Sequence, residues 1–180
     1  IELVDACKGC YATTGMYNMP NVKAPRIHNK EDWKRKDWVD NMVEAIFNDE
    51  LFRWFDSGDC YDLRLAKKIK QVISRTPRTK HWFPTRQHKF PKFDKVLTEI
   101  AELPNAVVRL SSDSINGGII KGDTTSTIWS TKPPKEAFEC GAYTREGKCG
   151  DCRACWDKSV KVVAYPGHGA KMLKVIRIQG

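Results

Sequence analysis

Three cysteines, Cys149, Cys152 and Cys155, recur at two-residue gaps in a stretch loosened by Gly147 and Gly150. A compact turn with this spacing brings three thiolates to one side, as a cubane iron–sulfur cluster requires and as bacterial-type ferredoxin runs provide. Zinc is more often held by two separated pairs, so the evenly spaced third cysteine favours iron. Three thiolates leave one iron short of a protein ligand, and the chain offers two sources for the fourth. Cys140 lies nine residues before Cys149, which would let residues 140–155 hold the metal unaided. The pair in Cys7-Lys8-Gly9-Cys10 would instead reach it from the other end of the chain. We expect the remote ligand, Cys10 ahead of Cys7 with Cys140 in reserve, because it explains the Cys-x2-Cys loop and lets a metal join the chain ends. A thioredoxin-type redox pair is the weaker reading of Cys7 and Cys10, since nothing thioredoxin-like surrounds them. Cys60 reads as an ordinary cysteine at a helix start.

A second set of chemically capable residues closes the expected strands. Asp56, Ser57, Asp59, Arg86, Ser112, Asp113 and His168 each fall in a short polar cluster after an apolar run. Open α/β sheets and barrels place ligand sites at the carboxyl ends of their strands, where loops vary without disturbing the core. Asp56, Asp59, Arg86, Asp113 and His168 are therefore the catalytic candidates, and Arg86, Ser112 and His168 the cofactor-binding ones. Each also has a plain structural role open to it. Asp59 is placed to cap a helix, Asp56 to shape a turn, and Asp113 to pair with Arg86. Arg86 carries a planar fork suited to a phosphate, a carboxylate or the sulfides of an anionic cluster. His168 sits between Gly167 and Gly169, which would let backbone approach a ligand. His28, His81 and His88 belong to no such grouping.

The elements that must position these groups follow from hydrophobic periodicity. Residues 1–6 read as a strand leading into Cys7, and residues 15–25, rich in Gly, Pro and Asn, as a loop. Asn29 is the expected N-cap of a helix running to about Asp49, with a core stripe of Trp33, Trp38, Val39, Met42, Val43, Ile46 and Phe47. Strands are expected at 51–55, 80–84, 105–110, 124–129 and 161–165, with amphipathic helices over 61–74 and 92–102. Residues 172–178 fit a strand or a short helix equally. Alternating strands and helices with short connections predict an α/β fold: a partial (β/α)6-type barrel or curved, mostly parallel sheet with outer helices, in one domain over 1–180.

Composition narrows the setting. The 180 residues carry 31 Lys and Arg against 22 Asp and Glu, a net charge of +9, which points either to anionic company or to a solvated basic surface. The expected company is a redox partner or a small anionic ligand, with nucleic acid as a further candidate. No apolar run is long enough to span a bilayer and no signal-peptide pattern is present, so we expect no membrane and a cytoplasmic protein. Seven cysteines, five of them in two tight groups, read as metal binding before disulfides. Ile1 in place of an initiator Met suggests that the natural chain starts upstream.

Several of these residues also carry a resemblance. Cys7-Lys8-Gly9-Cys10-Tyr11-Ala12, Trp54-Phe55-Asp56-Ser57-Gly58-Asp59, Thr85-Arg86, Ser111-Ser112-Asp113 and Cys149…Cys152…Cys155-Trp156 resemble, in this order, the tailed-phage "gene product 88" family. The resemblance implies a phage-carried auxiliary metalloprotein acting in the cytoplasm of the infected host cell. The architecture also looks like the partial barrel of radical S-adenosylmethionine enzymes. Those share a Cys-x3-Cys-x2-Cys loop, whereas the loop here has Cys7 and Cys10 alone, so the likeness is one of fold and licenses no reaction. The leading expectation is one [4Fe-4S] cluster held between the two cysteine loops, serving electron transfer or a structural role. The alternatives are a radical enzyme with an open cluster iron that binds S-adenosylmethionine, and a zinc-stabilised nucleic-acid binder.

Overall fold

The computed structural model describes residues 4–179, excepting the side chains of residues 11 and 179. They form two compact units. One combines the described residues up to Gly15 with those from Arg109 onward, and the other is Met16–Val108. The strands are β1 (Leu51–Arg53), β2 (Lys80–Thr85), β3 (Ala106–Ser111), β4 (Thr125–Trp129), β5 (Phe138–Glu139) and β6 (Val162–Pro166). Their order in the sheet is β1-β2-β3-β4-β6-β5, with β1–β2, β3–β4, β4–β6 and β5–β6 all parallel. The expected α/β class therefore holds, with helices outside a parallel sheet.

In Met16–Val108 the crossovers are α4 (Leu63–Arg75) and α5 (Asp94–Glu102), because parallel neighbours need a connection long enough to return the chain. Leu65, Ala66, Ile69, Val72 and Ile73 bury the inner stripe of α4, and Val96, Leu97 and Ile100 that of α5. Asp62 caps α4 by accepting the Arg64 N–H at 2.7 Å. At the far end Asn105 Nδ2 donates to the carbonyls of Ile73, Thr76 and Thr79, tying the helix exit to the start of β3. Trp82 and Phe83 are buried in β2, so the aromatic residues of the basic stretch 78–83 belong to the core.

The first helical region differs from expectation. Residues 15–25 are not a loop, and Asn29 is no N-cap. Helix α2 spans Pro20–Asp32, a turn follows, and α3 spans Trp38–Ile46. Pro20 sits at the first turn, where its missing N–H costs nothing, so a proline that looked like a breaker serves as a start. Of the predicted core stripe Trp33, Trp38, Val39 and Ile46 are buried, whereas Phe47 is exposed.

In the other unit, Thr125 to Trp129 of β4 pair in register with Val162 to Pro166 of β6. The expected strand over 1–6 is overturned where it is described: Asp5–Lys8 form a helical turn, α1. Residues 1–3 lie outside the described residues. The segment left open at the carboxy-terminal end is a helix, α6 (Ala170–Gln179). Ala6, Ile115 and Met172 make a small core with Val4, Ile128, Val175 and Ile176 around it. A Cβ on Gly9 would stand 2.6 Å from Met172 Sδ and 2.9 Å from its Cα, so close approach of α1 to α6 requires glycine there.

His81 gives the fold a pH dependence. Its ring is fully buried and stacks on Trp54 at 6.0 Å. Thr76 Oγ1 donates to Val72 O, which leaves His81 Nε2 as the donor to Thr76 across 2.9 Å. A second proton would fall on Nδ1, which meets no acceptor among the described residues. Burial accordingly lowers its pKa from 6.5 to about 4. The unfolded chain then binds a proton that the folded chain refuses, so stability falls as pH drops from about 6.5 towards 4. Urea denaturation across that window is expected to show this loss, and His81→Asn to flatten its slope.

Candidate metal centre

Among the carboxy-terminal cysteines, Cys140 is placed by a short strand that periodicity did not reveal. β5 pairs with β6 through Phe138↔Val163 and Glu139↔Ala164. This pairing delivers Cys140, whose N–H donates to Ala164 O at 2.8 Å, to the flank of β6. Beyond it a tight turn spans Gly141–Arg145 and reverses at Glu146 and Gly147, both with positive φ (54° and 79°). The Arg145 side chain then donates to the carbonyls of Lys148 and Cys149, fixing the entry to the cysteine run. Within the run, Cys152 N–H donates to Cys149 O at 3.1 Å, and Gly150 has φ 55°. A further turn, Ala154–Trp156, carries Cys155 into the interior.

Cys155 is buried, Cys140 and Cys152 are half-buried, and Cys149 is exposed. Burial pushes the Cys155 thiol up to about 11, opposed by a 3.3 Å contact with Tyr165 Oη and by the charge of Arg109, and reinforced by Cys140 and Cys149. Burial also raises the Cys140 thiol, with Cys149 and Cys152 adding to it. Cys149 and Cys152 thus act on Cys140, and Cys140 and Cys149 on Cys155. Arg109, fully buried, completes the surroundings. Its Nη1 donates to Thr125 O and Val160 O, and its Nη2 to Ala154 O and Asp157 O, at 3.0 to 3.2 Å. Among the described residues no group of three or more His, Cys, Asp or Glu side chains is already gathered to hold a metal ion.

Cys7 and Cys10 sit in the same unit as these four. Cys7 is in α1 and Cys10 in the turn after it, with Cys10 N–H donating to Cys7 O at 3.1 Å. The expectation of a loop after a strand is therefore corrected to a turn after a helix. This hairpin is anchored by Ala6 N–H to Asp113 O and by Lys171 Nζ to Thr13 Oγ1.

The polar candidates divide between the units. In Met16–Val108, Asp59 is mostly buried and accepts from Cys60 N–H, Thr85 Oγ1 and Arg86 N–H, at 2.6 to 2.8 Å. It is not the cap of α4, a role taken by Asp62; it fastens the loop after β1 to the end of β2. Burial raises its pKa, and the three donors offset part of that rise. The Cys60 beside it is fully buried and pushed up to about 12 by burial, an inert core thiol. Exposed Asp56 accepts from Tyr17 Oη at 2.8 Å. In the other unit, Ser112 Oγ accepts from Ser114 N–H. His168 packs against Tyr143 with ring centroids 4.1 Å apart and the rings tilted by 40°, it hydrogen-bonds the Tyr143 hydroxyl, and burial lowers its pKa. A Cβ on Gly167 would lie 2.8 Å from Ile176 Cδ1 and 3.3 Å from Trp129 O, so the backbone is closely covered there. Arg109 and Tyr165, hidden in apolar strand sequences, were not foreseen, although a lone Arg inside Val107-Val108-Arg109-Leu110 was a readable anomaly.

Asp59→Asn should cost about 1–3 kcal/mol of stability, since an amide cannot accept from three donors. Chemical denaturation measures the loss, and the metal content of the chain is expected to be unchanged. No curated protein and no solved structure matches the chain. A family model described as Gene product 88 matches residues 4–158, which takes in Cys7, Cys10, Cys140, Cys149, Cys152, Cys155 and Arg109. The chain therefore belongs to the Gene product 88 family.

Proposed function

We propose that this chain is a phage-carried metalloprotein that binds one [4Fe-4S] cluster through Cys140, Cys149, Cys152 and Cys155, in electron transfer or as a structural clamp. This reading is supported by the electrostatic coupling of Cys140 to Cys149, Cys152 and Cys155, and by the turns that Arg145 and Arg109 hold around Cys149 and Cys155. The donor set fits such a group in its chemistry. Thiols that burial and neighbouring thiolates hold protonated are poor nucleophiles, whereas a bound cation displaces their protons and reverses that balance. Cys140 is proposed ahead of Cys10 as the fourth ligand, because it is coupled electrostatically to Cys149, Cys152 and Cys155.

Four protein thiolates leave no iron open to an amino-acid chelate, so chemistry on S-adenosylmethionine is not part of this reading. When bound, the cluster would supply a one-electron redox centre. The chain's own contribution is asymmetric. Buried Cys155 keeps one side dry, and exposed Cys149 leaves an edge that a redox partner can approach. Among the described residues no helix is long and apolar enough to cross a membrane.

Anaerobic reconstitution is expected to give a brown protein with about four iron and four sulfide per chain. Alanine at Cys140, Cys149, Cys152 or Cys155 should abolish or sharply lower that content, and alanine at Cys7 or Cys10 should not. Loss on Cys10→Ala with retention on Cys140→Ala would return the fourth ligand to the amino-terminal turn. A colourless protein that takes zinc and no sulfide would overturn the cluster.

A further inference from the structure

Arg109 poses an energetic problem that the fold alone does not solve. Its side chain is fully buried, yet its four hydrogen bonds all go to main-chain carbonyls. Its Nε meets no acceptor, and the groups whose charge favours the guanidinium are Tyr165, Cys155 and Asp157. The Asp157 carboxylate also accepts from the Ser159 N–H and hydroxyl, so it is shared between them. A desolvated cation is costly unless an anion balances it, and carbonyl dipoles balance it only in part. Guanidinium holds its proton even when buried, so it cannot escape by neutralising itself.

The carbonyls it grips lie on either side of Cys155: Ala154 just before it, and Asp157 and Val160 beyond. Tyr165 Oη meets the Cys155 sulfur from the other flank at 3.3 Å. Beyond the carboxylate of Asp157, Cys155 is the group acting on Arg109 to which a bound metal would bring further negative charge. Four thiolates around a divalent metal, or around a cubane cluster, leave a net anion.

We propose that Arg109 is the resident counter-cation of an anionic metal–thiolate centre at Cys155, and that each stabilises the other. This inference rests on the thiolate site under Proposed function but not on the metal being iron. Arg109 touches no ligand sulfur in this arrangement; it acts on the centre from outside the ligand set, through its charge.

Cobalt(II) alone, titrated anaerobically into the full chain, tests it through thiolate-to-cobalt charge-transfer absorption and through the rise in melting temperature on loading. Arg109→Met is expected to weaken cobalt binding by about 10–100-fold, the usual cost of losing a partner just outside the ligand set, and to shrink the thermal gain on loading. Arg109→Lys keeps the charge and loses the fork, so its metal-free form should melt lower while its cobalt affinity stays near that of the wild type. Wild-type affinity and thermal gain in Arg109→Met would overturn the proposal, since a merely structural arginine lowers both forms alike. Arg109→Lys binding as poorly as Arg109→Met would also overturn it, by showing that the fork matters and the charge does not. Should Arg109→Met fail to fold, the lysine variant decides alone on the same criterion. A wild-type chain without charge-transfer bands would defeat the thiolate site and this inference together. Bands without iron–sulfur reconstitution would defeat only the cluster.

Discussion

The guanidinium of Arg109 does for the cysteine turn what a ladder of backbone hydrogen bonds does for a sheet. From Ala154 to Lys161 the chain makes two short turns before β6 begins, and it runs close to the core. Carbonyls buried in such a segment need donors, and regular structure does not supply them. Arg109 reaches out of β3 and satisfies Ala154, Asp157 and Val160, while a fourth bond to Thr125 O holds β4. That fork ties the main chain on both sides of Cys155 to β3. A planar, permanently charged group with several donors suits this task in a way an ammonium does not.

Met16–Val108 solves the same kind of problem with uncharged or buried acceptor and donor groups. Asn105 spends its amide on three carbonyls at the exit of α4, and Asp59 gathers three donors between β1 and β2. Neither arrangement presents a free group to a ligand. Strand ends are therefore rich in polar residues here partly because loops must be tied, which is why a polar cluster after a strand is weak support for catalysis. The charge on Asp59 is tolerated because three hydrogen bonds replace its water.

Where local pattern and tertiary need coincide, the chain could be read directly. The stripe of Leu65, Ile69, Val72 and Ile73 announced α4, and Phe93, Val96, Leu97 and Ile100 announced α5 with the turn before it. Runs of β-branched and aromatic residues announced β2, β3, β4 and β6. Pattern failed at Pro20 and Pro25, since proline's effect depends on where in a helix it falls, and that position is set by neighbours. It failed again at Phe138–Glu139, two exposed residues with no periodicity to detect, which form a strand only because β6 has an open edge.

Composition and spacing by themselves determined the α/β class and singled out Cys149, Cys152 and Cys155, because ligand spacing and helical periodicity are local properties of a chain. The partner of that trio was a tertiary matter. Sequence distance left Cys140 and Cys10 as rivals, and where Cys140 stands depends on the pairing of β5 with β6. The close approach of the described amino-terminal turn to α6 likewise arises from Gly9 and Met172 in contact, an apolar packing that spacing alone cannot encode. Arg109 is the clearest case. One cation inside an apolar strand is a readable oddity, but its four carbonyl partners lie 16 to 51 residues away and only folding brings them to it.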